Sequence, residues 1–171
     1  MPRLTDYSIV PAGAEHEPFL WKALYYAAHM DEEPSLRPES PKTNPALYPY
    51  VADWRGRAGD LGFVAVTESG SPAGAAWLRL MPTDWPLYRY VRCDIPELAI
   101  AVLPNCIGGG VGTKLLKTLI EASKTVHPAI VLSVRQDNPA RRLYERFGFH
   151  TVANIINRVG GSSLMMKLEL Q

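Results

Sequence analysis

The chain is poor in the residues that build common metal and redox sites. Its two cysteines, Cys93 and Cys106, lack metal-ligand spacing, and its four histidines (His16, His29, His127 and His150) are scattered, with no HExxH or Cys/His cluster. No metal is therefore expected, and reduced thiols point to the cytoplasm. Beside the glycine-rich stretch, Cys106 reads more readily as a small apolar spacer than as a nucleophile. Charge of one sign is also lacking: the formal net charge is +1, which excludes strong polyanion attraction and makes nucleic acid a poor partner. No apolar run approaches the roughly 20 residues a membrane span needs, so no membrane partner is expected. Residues 1–19 contain no apolar core of the signal-peptide kind.

What remains is an ordinary globular composition, 47% hydrophobic and 20% charged over 171 residues, most simply one domain spanning 1–171. Residues 7–10 read as a first strand. From Pro18 the apolar positions Phe19, Leu20, Ala23, Leu24 and Ala27 recur at helical spacing. A proline- and charge-rich loop follows, and Asn44-Pro45 is read as capping a second helix through Trp54. Residues 62–67 and 75–81 form a strand pair around Ser69-Gly70-Ser71-Pro72. Residues 82–94 are an aromatic, proline-punctuated excursion. A strand over 95–103, a helix from Val111, an apolar strand over 129–134 and a helix capped by Asn138-Pro139 come next. A strand pair around Gly160-Gly161 ends the chain. The class is α+β: a mostly antiparallel sheet of six or seven strands with one central parallel βαβ unit and about four helices.

The chain is organised around residues 97–112, ELAIAVLPNCIGGGVG. An apolar strand meets Pro104, then four glycines, then a helix whose Val111, Leu115, Leu116, Leu119 and Ile120 form one apolar stripe. Such a loop presents backbone N–H groups at a helix N-terminus, which is an anion site. A nucleoside-triphosphate loop needs GxxxxGK followed by Ser or Thr, and here Lys114 follows Thr113 with no glycine correctly paired. A dinucleotide fingerprint fails as well, because Gly108-x-Gly110 is followed by Thr113 with no acidic residue about 20 positions on. A loop of glycines needed only for tight packing is the remaining plain alternative.

Ile107-Gly108-Gly109-Gly110-Val111-Gly112, four residues after Leu103-Pro104, is followed downstream by Asn138-Pro139-Ala140-Arg141-Arg142-Leu143-Tyr144-Glu145-Arg146-Phe147-Gly148-Phe149. Together these resemble the GNAT superfamily of acyl-CoA-dependent N-acyltransferases over roughly residues 60–155. That family's loop runs Gln/Arg-x-x-Gly-x-Gly/Ala, and its later helix carries Asn…Ala-x-x-Leu-Tyr-x-x-x-Gly-Phe. One position departs: Ile107 stands where Gln or Arg is usual.

The resemblance implies acetyl-CoA as acyl donor and direct attack by a primary amine, with no covalent enzyme intermediate. The cofactor would lie against Ala101, Val102, Ile107, Gly108, Gly109, Gly110, Val111, Gly112, Thr113, Asn138 and Tyr144, its pyrophosphate held chiefly by backbone N–H groups. Lys114, Arg141 or Arg142 would supply any side-chain charge. Tyr144 matches the hydroxyl that protonates the leaving sulfur; read from its pattern alone it is also a core tyrosine. Glu97 is placed like the strand glutamate many members use as base, or is an ordinary strand-end carboxylate. The family also implies a bulge in this strand, splaying it from its parallel neighbour, with a backbone N–H near Val102 as oxyanion donor.

On the acceptor side, Tyr25, Glu32, Trp85 and Tyr88 are the candidate contacts. Acid beside aromatic rings suits a cationic amine on a small molecule or peptide. A GNAT-fold acyl-CoA-binding module without turnover is the alternative function, and a homodimer is left open.

Overall fold

The structure, a computed structural model, describes residues 7–170. Its strands are β1 (Tyr7–Pro11), β2 (Leu61–Thr67), β3 (Pro72–Arg79), β4 (Glu97–Val102), β5 (Ala129–Arg135), β6 (His150–Ile156) and β7 (Ser162–Glu169). They form one seven-stranded sheet in the order β1-β2-β3-β4-β5-β7-β6, antiparallel except where β4 meets β5. The expected six or seven strands are thus seven, and the parallel βαβ unit lies at the centre.

That parallel junction decides the architecture. β4 and β5 share a single register pair, Glu97 with Val131. Beyond it β4 follows β3, while β5 follows β7 along its whole length, from Ala129–Glu169 to Arg135–Ser163. Each half keeps its own partner and its own right-handed twist, so the sheet opens into a V. The family bulge expected in β4 is not there: the β3–β4 register runs without a shift from Gly74–Val102 to Arg79–Glu97. Register shifts occur instead in β2, at Ala65/Val66, and in β6, at Thr151/Ala153.

The helices are α1 (Glu17–Ala27), α2 (Val111–Ser123) and α3 (Ala140–Arg146). Strand residues point alternately to the two faces. Val64, Ala75, Trp77 and Ala99 pack under Leu20, Ala23 and Leu24 of α1. Ala76, Leu78, Leu98, Ile130 and Leu132 pack under Leu115, Leu116 and Leu119 of α2, all buried. Burial of each such leucine is favourable by about 1.5–3 kcal/mol, so the two helical stripes hold the sheet between them.

The helix α3 begins at Ala140 with Pro139 at the N-cap, one position later than the expected Asn138 cap, and from the residue before it the Asn138 side chain accepts the Ala140 N–H at 2.9 Å. At the other end Phe149 N–H bonds Tyr144 C=O at 3.1 Å and Gly148 N–H bonds Glu145 C=O at 3.0 Å, with Gly148 at φ 101°. This is a Schellman closure, which requires a left-handed residue at that point.

The helix expected over residues 44–54 does not form. The segment is a run of turns with a single 3₁₀ turn at Tyr48–Tyr50, so among the described residues three α-helices stand where about four are expected. Pro49 offers no N–H. The guanidinium of Arg79 reaches the carbonyls of Pro49 and Ala52, and that of Asp53 beside the Gly56 N–H. Arg79 is wholly buried and pairs with Asp60 at 2.8 Å, and Asp53 and Arg55 bend the segment through positive φ. A buried cation on β3 has outcompeted helix propensity.

Candidate active site

The V between β4 and β5 continues into a cleft of about 1350 Å³. Parity in the β3–β4 ladder fixes what β4 shows it. Leu103 N–H bonds Ala73 C=O at 2.8 Å, so the odd-numbered residues of β4 exchange bonds with β3 and the even-numbered ones face away. With β5 already diverged past Glu97, the amides of Ile100 and Val102 turn toward the open side without a ladder partner.

Below the V lies the glycine loop. Gly108 and Gly110 take positive φ, 92° and 77°, and Gly110 is the residue on which α2 begins. Among the described residues, none of the amides from Ile107 through Thr113 has an intramolecular acceptor, while Lys114 N–H begins the helical pattern by bonding Gly110 C=O at 3.1 Å. A row of unsatisfied N–H groups at the positive end of a helix fits a pyrophosphate. Gly110→Val is expected to destabilise the fold by about 1–2 kcal/mol, because a β-branched residue resists left-handed backbone. An unmoved urea midpoint for this variant would show that the αL turn is not required.

Of the residues expected to hold the cofactor, Ala101, Val102, Ile107, Gly108, Gly110, Val111, Gly112, Thr113, Asn138 and Tyr144 all line the cleft; Gly109 does not. Ile107 is 58% exposed. None of Lys114, Arg141 and Arg142 lines the cleft, and Arg141 is paired with Glu145 at 3.0 Å.

Tyr144 is 7% exposed, edge-on to Phe149 with ring centroids 5.9 Å apart. Among the described residues its hydroxyl has no hydrogen-bond partner. Burial pushes its pKa up to about 12, so it keeps its proton through the physiological range. Glu97, 6% exposed, also lines the cleft. Tyr50 donates its hydroxyl to Glu97 Oε2, and Trp85 donates its indole N–H to Oε1 at 3.3 Å. Desolvation nonetheless pushes its pKa up to about 8.

The acceptor-side expectations divide. Trp85 lines the cleft with Tyr26, Tyr50, Tyr90 and Asp31. Tyr25 does not: it is buried in the α1 core, edge-on to Tyr26. Glu32 lies outside the main cleft, in a smaller polar hollow, where it pairs with Arg135 at 2.6 Å; that guanidinium holds its carboxyl below the usual range. Tyr88 is tied to the backbone, accepting Met81 N–H at 3.0 Å and donating to Ile95 C=O at 3.3 Å. Tyr88 holds the excursion's shape, as a half-buried tyrosine with both sides of its hydroxyl used.

Sequence reading missed Tyr50. It sits in the segment misread as helix, and only folding brings it against Glu97, 47 residues away. Among the described residues no three His, Cys, Asp or Glu side chains group as metal ligands, and no helix is long and apolar enough to cross a membrane.

Comparison with known proteins agrees with this geometry. Residues 21–149 match the model of the acetyltransferase (GNAT) family. No curated protein matches the chain by sequence. Among solved structures, yncA of Salmonella typhimurium, described with its cofactor acetyl-CoA, superposes with a TM-score of 0.68 at 21% identity, covering 97% of this chain and 95% of that one. A chimera of the Vibrio cholerae spermidine N-acetyltransferase SpeG with hSSAT gives 0.66 at 18% identity, covering 96% of each chain. A GNAT acetyltransferase from Streptococcus pneumoniae gives 0.68 at 18%, covering 96% of this chain and 99% of that one. With a splayed seven-stranded sheet, an amide-lined glycine loop and three quarters of its length on the family model, the chain belongs to the GNAT acetyltransferase family.

Proposed function

We propose that residues 1–171 are one N-acetyltransferase domain that moves an acetyl group from acetyl-CoA to a primary amine in a ternary complex. The observation that carries this reading is the row of free amides from Ile107 through Thr113, at the foot of a cleft that Tyr144 and Glu97 also line. Acetyl-CoA supplies the acetyl group as a thioester. The loop amides hold its pyrophosphate without a side-chain cation, Asn138 flanks its arm, and Ala101 leaves space where the sheet opens.

Amine attack needs an uncharged nucleophile, a polarised carbonyl and a proton for the departing sulfur. Glu97 acts as base, its raised pKa matching proton removal from an ammonium near neutral pH. The Val102 amide, facing the open V, is the oxyanion donor. Tyr144 holds the proton for the thiolate. A hydroxyl with a pKa near 12 is a weak acid, but burial raises a thiol's pKa in the same dry cleft and narrows the gap.

The cleft lining also includes Tyr26, Tyr50, Trp85, Tyr90 and Asp31, and rings together with acid suit a cationic amine. A solved relative is named for spermidine, so a polyamine belongs in the test panel beside amino acids, aminoglycosides and lysine peptides. Free-thiol release across that panel tests the reading. Tyr144→Phe is expected to lower kcat roughly 10²-fold, the lower end for a positioned proton donor because thiolate leaves readily. Acetyl-CoA affinity by calorimetry should change little. Cofactor binding with no turnover on any amine would instead favour an acyl-CoA-binding module, and no binding at all would remove both readings.

A further inference from the structure

Glu97 is the most secluded titratable group in the cleft, yet a base must exchange protons with its substrate. Its carboxylate oxygens are covered by two donors, the Tyr50 hydroxyl on Oε2 and the Trp85 indole on Oε1. Tyr50 and Glu97 both line the cleft, Tyr50 half-buried and Glu97 only 6% exposed, so the tyrosine is the more accessible member of the pair. Its ring stands edge-on to Trp85, centroids 5.8 Å apart.

The segment carrying Tyr50 has little regular structure, but its backbone is tied down. Trp77 donates its indole N–H to the Tyr50 carbonyl at 2.9 Å. Arg79 reaches the carbonyls of Pro49, at 3.2 Å, and of Asp53, at 2.9 Å, and also that of Ala52. Both side chains project from β3. In the β3–β4 register Trp77 stands opposite Ala99 and Arg79 stands opposite Glu97. The strand beside the base therefore also fixes the loop that covers it.

The charged and titratable groups facing Glu97 are few. Tyr50 reaches it directly. Arg79, although its register partner, spends its guanidinium on Asp60 and the loop carbonyls. On the other side β5 offers Val131 at the paired position, within an apolar cluster of Ile95, Leu87 and Met165.

We propose that Tyr50 is the relay through which Glu97 takes the acceptor's proton, with Trp77 and Arg79 as the positioning residues that hold it there. The inference rests on the amine-transfer reading above. The balance is simple. The Tyr50 oxygen accepts a proton from the acceptor ammonium while its own proton passes to the Glu97 carboxylate. The amine becomes neutral, the carboxylate becomes a carboxyl, and tyrosine is unchanged. The hydroxyl that completes this path is absent in phenylalanine, while the ring packing on Trp85 is kept.

The test combines a titration with kinetics on the whole protein. Carbon-13 NMR of carboxyl-labelled glutamate, with the Glu97 signal identified by its loss in E97Q, follows the base directly. In Y50F the Glu97 midpoint is expected to move upward, because a donor to the charged form is gone. The rate on the best amine should fall about tenfold or more, the rising limb of the pH–rate profile should move up in parallel, and acetyl-CoA affinity should stay unchanged. 3-Fluorotyrosine installed at position 50 makes the hydroxyl more acidic without changing its shape, and should move the midpoint downward; it carries the test if Y50F does not fold. An unmoved Glu97 midpoint, or a moved midpoint with an unchanged rate profile, overturns the relay. If the wild type acetylates no amine in the panel, the transfer reading falls and the titration alone judges whether Tyr50 is coupled to Glu97.

Discussion

Replacing Glu97 with glutamine is expected to lower kcat/KM for amine acetylation about 10³-fold, within the range for loss of a positioned base. The substitution keeps the shape of the side chain but only one accepting oxygen for the two donors Tyr50 and Trp85, so it removes the ability to hold a proton together with one of those two bonds. In the wild type, activity should rise with pH through a limb near 8, where buried Glu97 gives up its proton; in E97Q that limb should vanish. A profile with the same limb in both proteins would assign it to the acceptor amine and remove Glu97 from the mechanism.

The same group has a stability signature of definite sign. Folded, Glu97 holds its proton up to about 8, against an ordinary value of 4.5. Between those values the folded state binds more protons than the unfolded, so stability falls as pH rises. The contribution is fully present below 4.5 and lost as pH passes 8. Urea midpoints across that window should decline in the wild type and flatten in E97Q. A site with a carboxyl buried for chemistry is thus expected to cost stability where the chemistry works.

The largest structural effect is expected at Arg79. Arg79→Met leaves Asp60 charged and buried, and strips donors from the carbonyls of Pro49, Ala52 and Asp53. Removing one partner of a buried pair costs about 3–5 kcal/mol, which for a domain of this size is a drop in Tm of roughly 6–20 °C. Replacing Asp60 with leucine in the same chain should restore part of the loss, since it removes the uncompensated charge. The segment 49–53 is then expected to loosen and acetylation to fall, although Arg79 touches no substrate. A Tm within two or three degrees of wild type, read as roughly one kcal/mol at most, would mean that water can replace the lost contacts and that the pair is not the anchor of this loop.

Sequence legibility followed the range of the forces involved. The α2 stripe of Val111, Leu115, Leu116, Leu119 and Ile120 is buried as its spacing predicts, because one helix face meets one sheet face. The turn by which Asn138 leads into α3 and the closure at Gly148 are local bonds between residues a few positions apart, and both were readable to within one residue. The misread helix over 44–54 failed for the opposite reason. Its carbonyls bond to a guanidinium on β3, 26 to 30 residues away, and no local propensity contains that partner. Tyr25 and Tyr88 were sorted wrongly for a related cause. Whether an aromatic ring faces a cleft or a core depends on the strand or helix that passes over it, and composition is silent on this.

By itself, the sequence determined the strands, the three α-helices, the central parallel unit and the glycine turn at the start of α2, because glycines, caps and apolar periods act over a single turn or strand. It also placed Tyr144 on an apolar helix face and Glu97 at a strand start. Only the tertiary structure decided that β5 leaves β4 after one register pair without a bulge, since each strand obeys a different neighbour. And only it decided that Glu97 is desolvated beneath Tyr50 and Trp85, because a carboxyl's pKa is set by whatever the fold lays against it.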